Sequence, residues 1–467
     1  MTMKQLLPLF LLAFLLPATA QELITYDVPD EMRYTAHNDD FTVRVRVPGG
    51  AWKDVYEYAV NVNMDQVTPA SVVSFDFTGK VEVWVTCNNG LVHTVRLRPL
   101  SYGVMPQVEG HHIRFSLDQP RKLSLEINGD KHRNLHLFAN ALRHDKPDPA
   151  DPAVIYFGPG VHTPGDQPGD VFHIPSGKTV YLDGGAVLKG KLMIDGAHDV
   201  AILGHGIVYQ PERGVEIRHS QRVTIDGPLF INPDHYTVYG GGSSQLILRN
   251  IKSFACKPWT DGIDLMACSD VLVEDVFLRT SDDCIALYGH RWDFYGNTRS
   301  IQVLNSTLWA DVAHPTNIGV HGNAAIGGDT IEQVVFSNID ILEHDEDTRI
   351  AQGCLSIAAG DNNLVRHITY ENIRIDDFEE GMLFNFQVML SKKYGLAPGR
   401  GISNVLIKNV TYNGQAANPS EIKGYAEDRM VKDVRIEGLT INGKKVRDLS
   451  VVPVTVGPFV EGVVVDD

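Results

Sequence analysis

Two short stretches hold the residues best suited to chemistry, Trp259-Thr260-Asp261-Gly262-Ile263-Asp264 and Ser281-Asp282-Asp283-Cys284-Ile285. Each follows a strand-like apolar run, residues 246–255 and 271–280. If those runs are successive units of one repeat, Asp261-x-Ile263 and Asp283-x-Ile285 occupy equivalent positions on neighbouring coils. Stacked parallel strands lie about 4.8 Å apart, which makes Asp261 and Asp283 near neighbours with Asp282 beside them. Crowded carboxyls repel and spread their proton affinities, and one protonated plus one ionised carboxyl make a general acid and a general base. An Asp-Asp pair alone suits a solvated turn, and single acids can cap turns on an exposed strand edge. The shared register favours catalysis, because clustered acids with displaced pKa values mark functional sites.

A repeat from about residue 153 onward supplies the scaffold. Its unit is apolar, any, apolar, any, then Asn, Asp or Gly. It begins at Val180, Val200, Val223, Leu246, Val271, Ile301, Val334, Ile368, Val405 and Val434, at intervals of 20, 23, 23, 25, 30, 33, 34, 37 and 29 residues. The period of two within each unit excludes helical solenoids. Short strands closed by turn-forming residues fit a parallel β-helix of about ten coils instead. The longer intervals all follow Val271, so inserted loops gather at or after the acidic cluster, where a solenoid builds its binding face.

Before the repeat, residues 21–145 alternate apolar and polar residues in short runs such as 41–47, 81–86 and 93–97. Turn clusters such as Pro48-Gly49-Gly50 and Asn88-Asn89-Gly90 separate them, the pattern of an antiparallel β-sandwich. Three prolines among charges at 143–152 read as a stiff crossing into residues 146–467, the solenoid. Residues 1–20 read as an export signal, with Lys4 ahead of an apolar run at 6–16 and Ala18-Thr19-Ala20 for cleavage. That run is short for a membrane span, and the mature protein is expected to be secreted or periplasmic without a membrane span.

Five scattered cysteines form no disulfide framework, and Cys284 beside Asp283 reads as a small core residue. Without paired CxxC or HxxxH spacing no zinc site is expected, and no other metal or cofactor is assigned. A net charge of −17 argues against nucleic acid as a partner.

The two acidic motifs together resemble the polygalacturonase family (glycoside hydrolase family 28) and its dextranase and isopullulanase relatives (glycoside hydrolase family 49). The resemblance covers roughly residues 153–445, and Tyr156-Phe157-Gly158-Pro159-Gly160 and Tyr181-Leu182-Asp183-Gly184-Gly185 are similar to entry coils of such proteins. The preceding sandwich is similar to that of the dextranase group. The resemblance implies an all-β, right-handed parallel β-helix that hydrolyses O-glycosidic bonds of a polysaccharide or oligosaccharide with inversion. It further implies that Asp282 is the general acid and that Asp261 and Asp283 activate the water.

Departures from that pattern bear on specificity. Trp259 replaces an Asn, and register puts Pro315-Thr316-Asn317-Ile318 where polygalacturonases carry Gly-His-Gly, leaving His314 and His321 to either side. Their sugar-clamping Arg-Ile-Lys is at best Arg349-Ile350-Ala351 here, so a neutral or weakly charged glycan is expected. Trp259, His290, Arg291, Trp292, Tyr295, His321, Asn323, His344 and Arg349 are the candidate substrate contacts, by ring stacking or hydroxyl bonding. Two other readings share this scaffold. A polysaccharide lyase or epimerase would want a Ca²⁺ site with an Arg or Lys base, and a non-catalytic carbohydrate-binding β-helix would have no use for three stacked carboxylates.

Overall fold

A computed structural model describes residues 21–165, 169–415, 417–449 and 453–466. The proposed export signal lies outside them. No helix among the described residues is long and apolar enough to cross a membrane.

The chain opens as a two-sheet sandwich. One sheet has six strands, including Thr68–Thr78, Arg121–Ile127 and Asp130–Ala141; the other has five, including Phe41–Arg46, Val81–Cys87 and His112–Leu117. Alternating inward residues such as Val43, Val83, Val85, Ile113, Phe75 and Leu123 fill the space between them. The sequence pattern leads one to expect wholly antiparallel pairing. Asp130–Ala141 instead runs parallel to Thr68–Thr78, because it must leave the sandwich heading toward the solenoid.

From Val154–Phe157 onward the chain forms a right-handed parallel β-helix. A 22-stranded sheet wraps two faces and an 11-stranded sheet forms the third. The ten repeat units are ten strands stacked one per coil, from Thr179–Leu182 to Val431–Glu437, with the expected pairs Leu246↔Val271 and Leu248↔Val273 in parallel. Val154–Phe157 and Val460–Asp466 extend the stack at either end. Inward residues stack in columns: Ile202, Ile225, Leu248, Val273, Val303, Phe336, Tyr370 and Ile407 pair in turn, and each is fully buried.

Two columns of left-handed residues bend the coil around each repeat strand. The expected one holds Asn250, Asp275, Asn305, Asn338, Asn372 and Asn409, with φ between 51° and 58°. Two pairs of side-chain amides bond between coils, Asn338 Nδ2 donating to Asn305 Oδ1 at 2.7 Å and Asn409 Nδ2 to Asn372 Oδ1 at 3.2 Å. The other column includes Arg222, Gln245, Ser300, Gln333 and His367. Asp199, Asp270, Asn404 and Asp433 share this column, but Arg222, Gln245, Gln333 and His367 carry no turn signal, so the sequence shows it only in part.

The six-stranded sheet docks on the solenoid through Val60, Val62, Val72 and Phe138 against Ile231, Phe254, Phe277 and Trp309. A polar clamp sits beside this apolar seam. Arg279 is fully buried and bidentate to Asp311 at 2.8 and 2.9 Å, with further bonds to Asn134 Oδ1 and His136 of the sandwich. Met64 N donates to Ser281 Oγ at 3.0 Å, and Asn63 N donates to Asp311 at 3.1 Å. The sandwich therefore grips the coil that carries Asp282 and Asp283.

Candidate active site

The strands Ile263–Met266 and Ile285–Tyr288 pair in register at Ile263↔Ile285. Asp261 and Asp283, each two residues upstream, therefore stand on adjacent coils, and Gly262 N donates to Asp283 O at 2.8 Å. A Cβ at Gly262 would lie 2.4 Å from Cys284 O, so only glycine allows the coils to approach this closely here. Side-chain oxygens of Asp261, Asp282 and Asp283 all lie within 4.8 Å of one another.

Neighbours set the three carboxyls apart. Asp283 receives His314 Nδ1 at 2.6 Å and the His314 amide at 3.2 Å on one oxygen, and Asn317 Nδ2 at 2.7 Å on the other. Burial alone would raise its pKa, but the imidazolium and these donors bring it below the usual value. His314 Nε2 bonds the carbonyl of Ala351. A carbonyl and a carboxylate both only accept, so both ring nitrogens carry protons, and the Asp283 charge overcomes burial to lift His314 to about 9.

Asp282 is half-buried and raised to about 6, first by burial and then by the Asp283 charge. Two backbone amides temper that shift, from Trp259 to Oδ2 and from Asp283 to Oδ1, each at 3.0 Å. The Trp259 amide is aimed by a tight turn: Lys257 N donates to Thr260 Oγ1, Thr260 Oγ1 donates back to Lys257 O, and Trp259 is left-handed at φ 61°. Asp261 is pushed well up by burial and by Asp264, Asp282 and Asp283, with Arg291 pulling the other way. Asp264 is fully buried, and no N–H or O–H donor among the described residues reaches its oxygens. Burial pushes it well up, and the Arg291 charge and the nearby Asp261 carboxyl work the other way.

The expected substrate contacts divide. Trp259 is 60% exposed and Trp292 42% exposed, and Trp292 stacks on Tyr236 at 5.7 Å. Arg291 lies over the Tyr288 ring, bonds His321 Nε2 and faces Asp261 and Asp264. That cation and burial take His321 down to about 3, so it is neutral. His290 and Tyr295 pack on each other at 4.2 Å. Asn323 caps a short helical turn, Ala324–Ile326, through its carbonyl, and Arg349 is exposed.

His344 departs from expectation. It is fully buried, with Nδ1 on Ala313 O at 2.7 Å and Nε2 accepting from Gly353 N at 3.2 Å, so it holds loops together and has no ring atom left for a sugar. The register drawn around Ile318 is also corrected. Ile285 pairs with Thr316 and Leu287 with Ile318, so His314, not Pro315-Thr316-Asn317-Ile318, stands opposite Asp283. A Thr in an inward position that is otherwise apolar hid this pairing. Tyr236 also escaped notice, although it precedes Val238 by two residues, just as Asp261 precedes its strand partner Ile263.

The fold is a parallel β-helix that carries an acid cluster just ahead of two strands of its third face. Residues 176–457 match glycosyl hydrolases family 28, and the chain belongs to that family. It is similar to a polygalacturonase of Juniperus ashei, 27% identical over 175 residues, which is 37% of this chain and 31% of that protein. It is also similar to one of Cryptomeria japonica, 24% identical over 272 residues, 55% of this chain and 49% of that protein. The chain thus spans half or less of the length of these relatives. Among solved structures, Dex49A from Penicillium minioluteum shares the fold over 91% of this chain and 92% of its own, with a TM-score of 0.61 at 16% identity.

Proposed function

We propose that the protein is an inverting glycoside hydrolase acting on a polysaccharide or oligosaccharide outside the cytoplasm. The observation that carries this reading is the split among three carboxyls within 4.8 Å, Asp282 raised and Asp283 lowered. Asp282 donates its proton to the glycosidic oxygen, and Asp261 and Asp283 hold the attacking water. Burial pushes Asp261 and Asp264 up together, and the Arg291 guanidinium favours the ionised form of both, Asp264 the more strongly, so this pair holds a proton while Asp283 is the carboxylate that stays ionised. No metal or cofactor is called on in this chemistry.

The relatives' names point to polygalacturonate. Arg349-Ile350-Ala351 offers a single cation, Arg349, and that residue is exposed, while the Ala351 carbonyl is occupied by His314. Lys393 is the ammonium whose charge reaches Asp282 from a later loop. A neutral or weakly charged glycan fits this arrangement better than a fully anionic chain.

Incubation with neutral and acidic polysaccharides separates the classes. New reducing ends without absorbance from unsaturated products are expected. Unsaturated ends would make the protein a lyase, and binding without either product would make it a carbohydrate-binding β-helix. Efficient cleavage of polygalacturonate, with none of neutral polymers, would overturn the substrate assignment.

A further inference from the structure

The sandwich gives its six-stranded sheet to the solenoid, so the five-stranded sheet presents its outer face elsewhere. Strand alternation sends Arg44, Arg46, Glu82, Trp84, His112, Arg114 and Ser116 outward, opposite the buried Val43, Val45, Val83, Val85, Ile113 and Phe115. Cross-strand register lines up Arg44, Trp84 and Arg114 in one row and Arg46, Glu82 and Ser116 in the next. Trp52, from the turn ahead of Lys53–Val55, meets Trp84 edge-on at 5.5 Å. Trp52, Trp84, Met105, Gln107, Arg114 and Ser116, with the Arg46–Glu82 pair, line a groove of about 550 Å³.

The groove's polar groups are unevenly used. Arg46 is paired to Glu82 at 2.7 Å and lies 4.3 Å over Trp52, so those two charges cancel and the indole is held in place. Arg114 lies 4.2 Å over Trp84 but makes no side-chain hydrogen bond or ion pair among the described residues, and the same holds for the side chains of Gln107, Ser116 and Trp52. One uncancelled guanidinium, two indoles in fixed orientation and several open hydrogen-bonding groups therefore line one cavity. Pre-set rotamers lower the entropy a ligand must overcome, and a guanidinium pairs best with a planar carboxylate.

We propose that this groove is a second, non-catalytic glycan site that takes an acidic sugar unit, its ring along Trp52 and its carboxylate on Arg114. A cation–π ladder that merely covers the sheet would leave Arg114 and its neighbours equally placed but would retain no sugar. The site does not depend on the chemistry at the carboxylates. A chain carrying it would stay attached to a mixed neutral and acidic polymer between cleavage events.

Affinity electrophoresis of the full-length protein tests this, with Asp282→Asn as background so that the gel polymer survives. Retardation is expected in gels containing polygalacturonate, weakening as salt is added, and weaker in neutral galactan or dextran gels. Trp52→Ala and Arg114→Gln should each weaken it roughly ten-fold, about 1.4 kcal/mol, with the fold retained by circular dichroism, since Arg114 is exposed and Trp52 half-buried on the outer face of the sheet. Trp292→Ala, in the other cleft, should leave the acidic-gel retardation unchanged. Absence of retardation in polygalacturonate, or retardation indifferent to Trp52→Ala and Arg114→Gln, overturns the proposal. Retardation through Trp52 without any hydrolysis in the native chain would keep this site and sink the hydrolase reading instead.

Discussion

His314 Nδ1 lies 2.6 Å from Asp283 Oδ1, with both groups buried, and this pair fixes which acid of the cluster stays ionised. The imidazolium is raised to about 9 from an unfolded value near 6.5. A group with a raised folded pKa stabilises fully below its unfolded value and loses that contribution as pH climbs through the folded one. The window is therefore about 6.5 to 9, worth on the order of 3 kcal/mol. Asp283, lowered, contributes above its unfolded value near ~3.9 and loses that as acid protonates it. Thermal melts of the wild type should fall across 6.5–9, and His314→Gln should flatten that slope. An unchanged slope would mean that His314 is neutral in the folded protein.

A second pH dependence comes from Asp282, raised to about 6. A general acid must begin protonated, so kcat/KM, which reports the free enzyme, should drop about ten-fold per unit above pH 6. His314→Gln should also move the acidic limb upward, because Asp283 loses the cation that holds it ionised. An alkaline limb that begins above pH 8 would show that Asp282 is not the proton donor.

The clamp at Arg279 bears on stability rather than chemistry. Breaking a buried pair by removing one partner costs about 3–5 kcal/mol, and Arg279→Met leaves the Asp311 charge unpaired beside the coil that carries Asp282 and Asp283. Denaturant unfolding should show a loss of that order. A loss below about 1 kcal/mol, the range of an exposed pair, would mean that the sandwich does not brace the coil.

Much of this was legible in the sequence. The period of two and the Asn, Asp or Gly after it set the ten strands and their parallel pairing, because each coil must bury the same two positions. Asp261 and Asp283 followed from that register. Two features were hidden. The second left-handed column mixes turn formers such as Asp270 and Asn404 with Arg222, Gln245 and His367, which bend under tertiary constraint rather than by their own preference. His314 was displaced by the inward Thr316, which broke the apolar pattern on which register was counted. His344 looked available because a lone His carries no sign of burial in the sequence.

The two exposed indoles should act on binding alone. Trp259 gives its backbone amide to Asp282, and Trp259→Ala keeps that amide. Trp292→Ala removes a ring that stacks on Tyr236 and packs against Tyr239, Arg213 and Arg291, none of them a member of the acid cluster. Each should raise KM by roughly two- to ten-fold, as loss of a stacking ring worth about 0.5–1.5 kcal/mol suggests, with kcat nearly kept. A large loss of kcat at constant KM would instead put these residues in the chemistry.

The stereochemical outcome tests the roles of the three acids together. Side-chain oxygens within 4.8 Å stand closer than the roughly 6.5–9.5 Å usual for inverting pairs, and distance alone would suggest a retaining enzyme. A retaining enzyme needs a free carboxylate to attack carbon, yet both Asp283 oxygens are already engaged by His314 and Asn317, and Asp261 is bound up with Asp264. Acids so committed are better placed to grip a water on the sugar side than to form an ester. Inversion is therefore expected, seen by NMR as the opposite anomer at the first turnover. Asp282→Asn should lose about 10²–10⁴-fold in kcat while the protein stays folded, and Asp261→Asn and Asp283→Asn should be severely impaired. Retention of the anomer would leave the site in place but reverse its roles, and near wild-type rates in all three variants would move the chemistry elsewhere on the solenoid.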